Sequence, residues 1–196
     1  PLKLLALYRS RYPGIVLNIR FGNNSECWHA LMRREVDIAL IAKSGIPDQA
    51  KDHVIMHPIR QLGISAILPD DHLLANRESL YLRDLLSQPL LFRETGSNTQ
   101  KQLSSMFATL GEKVDPVAVL SSREAIINAV GMGLGIGFAL DDEATGYRNI
   151  VSIPVNELRD TSEDVVVALP GSARRKIVKT AFNFVQELLT DHTSQR

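Results

Sequence analysis

Hydrophobic and polar positions alternate in ways that divide the chain into strands and helices. Residues 15–21 carry bulky apolar side chains at every odd position, which is the two-residue period of a strand. In the stretch that follows, Trp28, Leu31 and Met32 share one helical face, and residues 37–42 form an apolar run typical of a buried strand. The succession of strand, helix and strand predicts a parallel β-α-β unit.

Helical spacing is clearest in the middle of the chain. Leu103, Met106, Phe107 and Leu110 stand at i, i+3, i+4 and i+7, and Gly111 follows where a C-cap glycine belongs. These positions predict a helix that ends at about residue 110. The other patterns predict helices over residues 1–12, from 82, over 122–130 and from 177, and strands over residues 54–59, 62–68, 89–92, 116–120, 136–140, 150–155 and 164–169.

Composition and charge narrow the class of protein. The 196 residues allow one or two domains, and 44% hydrophobic residues suffice for a core without disulfides or metals. Basic and acidic residues each number 22, so the overall field does not favour nucleic acid. A single cysteine, Cys27, excludes an internal disulfide and favours a reducing compartment, so we expect the cytoplasm. No apolar run reaches the roughly 18 residues of a membrane span, so we expect no membrane contact.

Five short motifs occur in an order that is similar to that of a known family. They are Tyr12-Pro13 at the end of the first helix, DIALI at 37–41, LPDDH at 68–72, RETGS at 93–97 and GLGIGF at 133–138. None of them is specific alone, but together they cover nearly the whole chain. The sequence resembles the effector-binding domain of LysR-type transcriptional regulators.

The resemblance implies an α/β fold of the type 2 periplasmic-binding-protein-like class, with two lobes, two crossover strands and a small-molecule cleft between the lobes. By position, the first lobe would comprise residues 1–65 and 165–196, and the second lobe residues 66–164. The crossover strands would be residues 62–68 on the outward path and 163–169 on the return.

The sequence departs from the family pattern in three ways. Members usually begin with a winged helix-turn-helix and a linker helix, whereas this sequence opens on Pro1. We therefore expect a fragment that contacts DNA only through a segment outside it. The first strand of the first lobe, expected just before Pro1, is also absent, and Leu73 stands where a proline is frequent.

The resemblance also implies self-association. Effector-binding domains of the family commonly pair antiparallel through the second helix of the first lobe. We therefore expect a dimer or tetramer in which residues 25–35 supply contacts, with Trp28 and Met32 as candidates. The alternative for Trp28 is a place in the core.

Three polar segments stand where a predicted strand meets the start of a helix. Backbone N–H groups and the positive end of a helix favour an anion there. The segments therefore predict a site for a small anionic effector, unless their residues serve only as N-caps. Ser121 and Glu124 also have capping-box spacing. The segments consist of Asn23, Asn24 and Ser25; Ser97, Asn98 and Thr99; and Ser121 and Ser122.

Arg93 ends a predicted strand beside the second of these segments. Its guanidinium group could pair with a carboxylate, sulfonate or phosphonate of the effector, or else with Glu94 or solvent. The rest of the sequence predicts no enzyme, no cofactor and no metal site. The five histidines have no metal-ligand spacing, no GxSxG elbow occurs, and the glycine run at 131–137 precedes a strand instead of following one.

Two further functions remain open from the sequence. A solute-binding protein of a transporter would have the same fold, and the upstream sequence would distinguish it by a signal peptide. A transferase or dehydratase of the same fold would need an acid, base or nucleophile at the cleft, whereas the candidate segments offer mostly neutral hydroxyl and amide groups. The leading hypothesis is a ligand-sensing domain that controls DNA binding by a longer regulator.

Overall fold

The computed structural model describes the backbone of residues 2–193 and the side chains of residues 4–188. The chain divides into two compact units. Unit 1 contains the described part of residues 1–60 and 164–196, and unit 2 contains residues 61–163. The chain therefore leaves unit 1 between Arg60 and Gln61 and returns between Glu163 and Asp164.

Unit 1 packs helices against a three-stranded sheet, in which β8 (Ser162–Ala168) lies between β1 (Ala39–Ala42) and β2 (Ile55–Leu62). Strands β1 and β8 are antiparallel, with Leu40 opposite Val166. The elements are α1 (Leu2–Arg11), α2 (Asn24–Met32), β1 (Ala39–Ala42), a 3-10 turn (Lys43–Gly45), α3 (Asp48–Lys51), β2 (Ile55–Leu62), β8 (Ser162–Ala168), α6 (Pro170–Ala173) and α7 (Lys176–Thr193).

Unit 2 is built on strands that alternate with two longer helices. Its elements are β3 (Ile64–Pro69), a 3-10 turn (Leu82–Leu85), β4 (Leu91–Arg93), α4 (Asn98–Thr109), β5 (Ala118–Leu120), α5 (Arg123–Gly131), β6 (Gly137–Leu140), β7 (Ile150–Pro154) and a 3-10 turn (Asn156–Leu158). β3 lies between β6 and β7 and is antiparallel to both. β4 pairs in parallel with β5, and a parallel bridge joins Leu90 to Ile136 just before β6. β4, β5 and β6 therefore run in the same direction.

The predicted hydrophobic faces form the cores. In unit 2, Leu103 and Phe107 of α4 are buried with the apolar residues of β3 and β6. Gly111 follows α4 with a positive φ of 75°, as the sequence predicts for a glycine beyond a helix C-terminus. In unit 1, Trp28 and Leu31 pack against β1 and β8. Trp28 is 7% exposed, which is the place in the core that the sequence left open as its alternative, whereas Met32 is 46% exposed.

The predicted strand over residues 15–21 is wrong. These residues form no regular structure, and of the four apolar side chains at odd positions Ile15 and Leu17 are half-buried, whereas Ile19 and Phe21 are 44% and 68% exposed. A two-residue period becomes a strand only where another strand accepts its backbone hydrogen bonds, and no strand in the described residues pairs with this segment. The parallel β-α-β unit predicted for residues 15–42 is therefore not formed.

The outward crossover is also placed differently. Residues 62–68 were predicted to carry it, but β3 is the central strand of unit 2 and its residues from Ile64 to Leu68 are all buried. The chain crosses within β2 instead, and it returns within β8. Arg60 and Asp164, the residues of unit 1 nearest the two crossings, form an ion pair at 3.0 Å.

Candidate functional site

The carboxyl ends of β4 and β5 lie side by side in unit 2. Arg93 is in register with Leu120, and the N–H of Glu94 donates to the carbonyl of Leu120 at 3.2 Å. Helices α4 and α5 begin within a few residues of these positions. We call residues 93–99 and 120–124 together the β4–β5 edge. It unites six of the nine residues that the sequence predicts for the site.

The first segment of this edge caps α4. Ser97 is 5% exposed and its hydroxyl accepts a hydrogen bond from the N–H of Gln100 at 3.4 Å. Asn98 and Thr99 form the first turn of the helix, where backbone N–H groups have no partner within the helix itself. The segment therefore carries out its N-cap role and also offers the positive end of a 12-residue helix.

The second segment caps α5, but through a different serine from the one predicted. The N-cap is Ser122, whose hydroxyl accepts from the N–H of Ala125 at 3.0 Å. The capping box predicted from Ser121 and Glu124 is therefore wrong. Ser121 is exposed, and Glu124 accepts a hydrogen bond from Arg123 at 3.0 Å.

Arg93 adopts the ion pair that the sequence left open. Its Nε and Nη2 donate to the two carboxylate oxygens of Glu94 at 2.9 and 3.0 Å. The two side chains are only 16% and 23% exposed. A bidentate, largely buried pair of this kind holds the guanidinium group in one orientation.

Arg123 forms a second ionic group at the same edge. It donates to Glu143 at 2.5 Å as well as to Glu124. Burial has the largest single effect on the pKa of Arg123 and lowers it, but the charges and hydrogen bonds of Glu143 and Glu124 together outweigh burial and raise the pKa overall. The pKa of Glu124 is lowered, first by a hydrogen bond from its own backbone and then by Arg123, with a smaller contribution from Arg93. Both groups therefore stay charged near neutral pH.

The third predicted segment lies in unit 1, at the start of α2. Asn23 is the N-cap and forms a capping box with Glu26, with distances of 2.9 and 3.0 Å. The Asn24 side-chain oxygen accepts from the N–H of Ala42 at 2.7 Å, which ties the start of α2 to the end of β1. Its Nδ2 atom is buried without a partner among the described residues, and Ser25 is exposed.

Comparison with known proteins identifies the family. Residues 2–190 match the family described as the LysR substrate binding domain. The chain belongs to the LysR substrate-binding domain family. Its predicted fold class, the two-lobe type 2 periplasmic-binding-protein-like fold, is confirmed by solved structures of other LysR domains.

Two curated relatives and one solved structure show the extent of the similarity. The chain is 31% identical over 134 residues to the transcriptional activator CmpR of Synechocystis, covering 68% of this chain and 43% of CmpR. It is 26% identical over 187 residues to the regulator CysB of Burkholderia cenocepacia, covering 94% of this chain and 59% of CysB. The regulatory domain of Synechocystis CcmR in complex with 2-PG aligns with a TM-score of 0.82 at 22% identity, covering 95% of this chain and 89% of that domain.

Gln100 lies at the candidate site of this LysR domain and was not predicted from the sequence. It is 9% exposed, and its side-chain oxygen accepts from the N–H of Arg93 at 3.0 Å while its Nε2 donates to Ser104 at 3.0 Å. It thus joins the first turn of α4 to the end of β4. A signal was present, because Ser97 and Gln100 have the spacing of a capping box. The glutamine side chain, however, reaches β4 instead of the N-cap.

Three other features concern the described residues of this LysR domain: a cavity, a metal site and a membrane-spanning helix. A cavity of about 120 Å³ in unit 2 is lined by none of the predicted site residues. Among the described residues, no group of three or more His, Cys, Asp or Glu side chains is placed to hold a metal ion. No helix in the described part of the chain is long and apolar enough to cross a membrane. The cavity is lined by Gly63, Ile64, Asp141, Pro154, Val155, Arg159 and Asp160.

Proposed function

We propose that this LysR domain is the ligand-sensing part of a transcriptional regulator, and that a small anionic metabolite bound to it controls DNA binding by the full-length protein. The relatives CmpR and CysB are a transcriptional activator and a transcriptional regulator, which supports this class. The chain spans 43% and 59% of their lengths. DNA binding is accordingly assigned to a segment outside this chain, and the cytoplasm is the proposed location.

The observation that carries the ligand proposal is the β4–β5 edge. Two helices, α4 and α5, begin at neighbouring strand ends, and each helix start acts as roughly half a positive charge toward an anion. We assign the effector site to the nine residues that the sequence predicts. The residues are Asn23, Asn24, Ser25, Arg93, Ser97, Asn98, Thr99, Ser121 and Ser122.

The chemistry of these residues favours a compact oxyanion. Hydroxyl, amide and backbone N–H donors match the oxygens of a carboxylate, sulfate or phosphate group, and several hydrogen bonds to a charged group contribute about 1.5–3 kcal/mol each. The solved CcmR domain holds 2-PG, which supports the use of small metabolites as probes. Suitable probes are 2-PG, benzoate as a simple carboxylate, and sulfate.

A thermal-shift titration tests the site. A probe at a hundredfold excess over its Kd stabilises the folded state by about 2.7 kcal/mol, which raises the Tm of a chain of this size by about 5–10 °C. Thr99→Val removes one hydroxyl group at the start of α4 without changing the size of the side chain. It is expected to reduce the response to the probe while leaving the unliganded Tm nearly unchanged.

Thr109→Val is the matched control. Thr109 lies at the opposite end of α4, where its hydroxyl donates to the Ser105 carbonyl at 2.9 Å. It should keep the full response to the probe. Arg93→Ala is expected to abolish the response, although it also leaves Glu94 without the bidentate partner. If Thr99→Val and Arg93→Ala both respond as the wild type does, the site assignment is wrong.

We further propose that the domain forms a dimer or tetramer. Within α2, Met32 is exposed and available for contact, whereas Trp28 is part of the core. Light scattering at high micromolar concentration is expected to show a mass of at least twice the 21.7 kDa of the chain. A purely monomeric species would contradict this proposal without affecting the ligand site.

A further inference from the structure

The guanidinium group of Arg93 already holds a carboxylate. Both donors on one side of the group contact the two oxygens of Glu94, at 2.9 and 3.0 Å. This is the geometry by which an arginine binds the carboxylate, sulfate or phosphate group of a ligand. Glu94 therefore occupies the Nε–Nη2 edge of Arg93, one of the two edges at which a guanidinium group can bind two oxygens of a ligand.

The charges around Arg93 do not favour an incoming anion by themselves. The linked ionic groups at this edge contain two arginines, Arg93 and Arg123, and three glutamates, Glu94, Glu124 and Glu143. Acidic groups thus outnumber basic ones among these five side chains, and the helix starts add positive potential. An anion gains the full attraction of Arg93 only when it replaces a carboxylate that is already there.

We propose that Glu94 is an internal competitor for the anionic effector and thereby determines the selectivity of the site. This inference rests on the proposed function of the same edge. An effector that binds the Nε–Nη2 edge of Arg93 must displace the Glu94 carboxylate, and only a group with two suitably spaced oxygens can replace both hydrogen bonds. Anions that offer a single contact point, such as chloride, cannot compensate for the lost pair and are excluded.

Substitution of Glu94 tests the competition directly. Glu94→Gln keeps the size of the side chain but removes its charge and leaves one oxygen, so it releases Arg93 in part. Binding of benzoate and sulfate, measured by isothermal titration calorimetry, is expected to tighten about tenfold, because a largely buried ion pair no longer has to be broken. The preference for benzoate over chloride is expected to decrease at the same time.

Two further variants separate charge from contact. Glu94→Asp retains the charge on a shorter side chain, and should tighten binding less than Glu94→Gln does. Glu78→Gln removes one negative charge at an exposed position of unit 2, and should leave binding unchanged. In an Arg93→Ala background, Glu94→Gln should bring no gain, because the competition requires both partners.

The outcomes distinguish this inference from the proposed function. If wild type binds benzoate or sulfate and Glu94→Gln binds it equally or more weakly, Glu94 supports the site instead of competing, and the inference is overturned while the proposed function stands. An equal gain in Glu78→Gln also overturns it, because a general charge effect would then suffice. If neither wild type nor Glu94→Gln binds benzoate, sulfate or 2-PG, both proposals fail.

Discussion

The same substitution at two glutamines of α4 tests whether a side-chain amide stabilises the contact between α4 and β4 at the candidate site. Gln100 is 9% exposed, with both ends of its amide hydrogen-bonded to Arg93 and Ser104. Gln102 lies two residues further on, and its Nε2 atom is buried without a partner among the described residues. Replacement of either by leucine keeps approximate size and helix propensity, so the hydrogen bonds are the main difference.

The expected change in the free energy of unfolding depends on which hydrogen-bonding groups each leucine substitution leaves unpaired. Gln100→Leu removes the acceptor for the N–H of Arg93, and a backbone donor left unpaired costs about 1–3 kcal/mol, whereas Ser104 is exposed and can turn to water. Some of this cost is offset by the apolar side chain. We expect a net loss of about 1–2 kcal/mol. Gln102→Leu removes an unpaired buried donor, so we expect no loss or a gain of up to about 1 kcal/mol.

Urea denaturation followed by circular dichroism measures both variants under the same conditions. The urea midpoint of Gln100→Leu is expected to fall below that of the wild type. The urea midpoint of Gln102→Leu is expected to equal that of the wild type or to rise above it. If both variants lose the same stability, the loss comes from packing of α4 in general. The contact between α4 and β4 would then not be stabilised by the Gln100 amide.

Three further predictions concern buried groups. Ser65→Ala is expected to lower the free energy of unfolding by about 1.5–3 kcal/mol, because the Ser65 hydroxyl donates to Asp141 at 2.7 Å. Ser162→Ala is expected to leave the free energy of unfolding unchanged, because the buried Ser162 hydroxyl has no partner among the described residues. Urea midpoints that fall equally in the two variants would contradict this. Gly137→Ala is expected to lower the free energy of unfolding by about 1–3 kcal/mol in the same assay, because its Cβ would lie 2.4 Å from the Cγ2 atom of Ile126 in α5. A urea midpoint equal to that of the wild type would refute this prediction. Burial, followed by the charge of Glu26, raises the pKa of Cys27, so that less thiolate is present at pH 8. Iodoacetamide is therefore expected to react with Cys27 more slowly than with a free thiol. A faster reaction would contradict the direction of the pKa shift.

The candidate site shows how far sequence reasoning extends. The hydroxyl and amide residues at three helix starts could be selected because N-cap preference is local, and Asn23, Ser97 and Ser122 are indeed N-caps. The choice between Ser121 and Ser122 could not be made, because it depends on where the backbone turns into the helix. Gln100 was missed because its partner is the backbone of β4.

The sequence by itself determined the elements whose signals are short-range. The spacing of Leu103 and Phe107 and the glycine at 111 predicted α4 and its end, since both the buried face of a helix and its C-cap are decided within a few turns of chain. The ordered motifs likewise indicated the family, which the match over residues 2–190 confirms.

Only the tertiary structure decided which groups meet across the chain. The apolar alternation of residues 15–21 is the same in a paired strand and in an exposed segment, because the hydrogen bonds of a strand come from residues that local pattern does not specify. The ion pair of Arg123 with Glu143 and the bond from Ala42 to Asn24 join residues 20 and 18 positions apart. Even the neighbouring pair of Arg93 and Glu94 required the fold, since the surrounding elements leave the two side chains only 16% and 23% exposed.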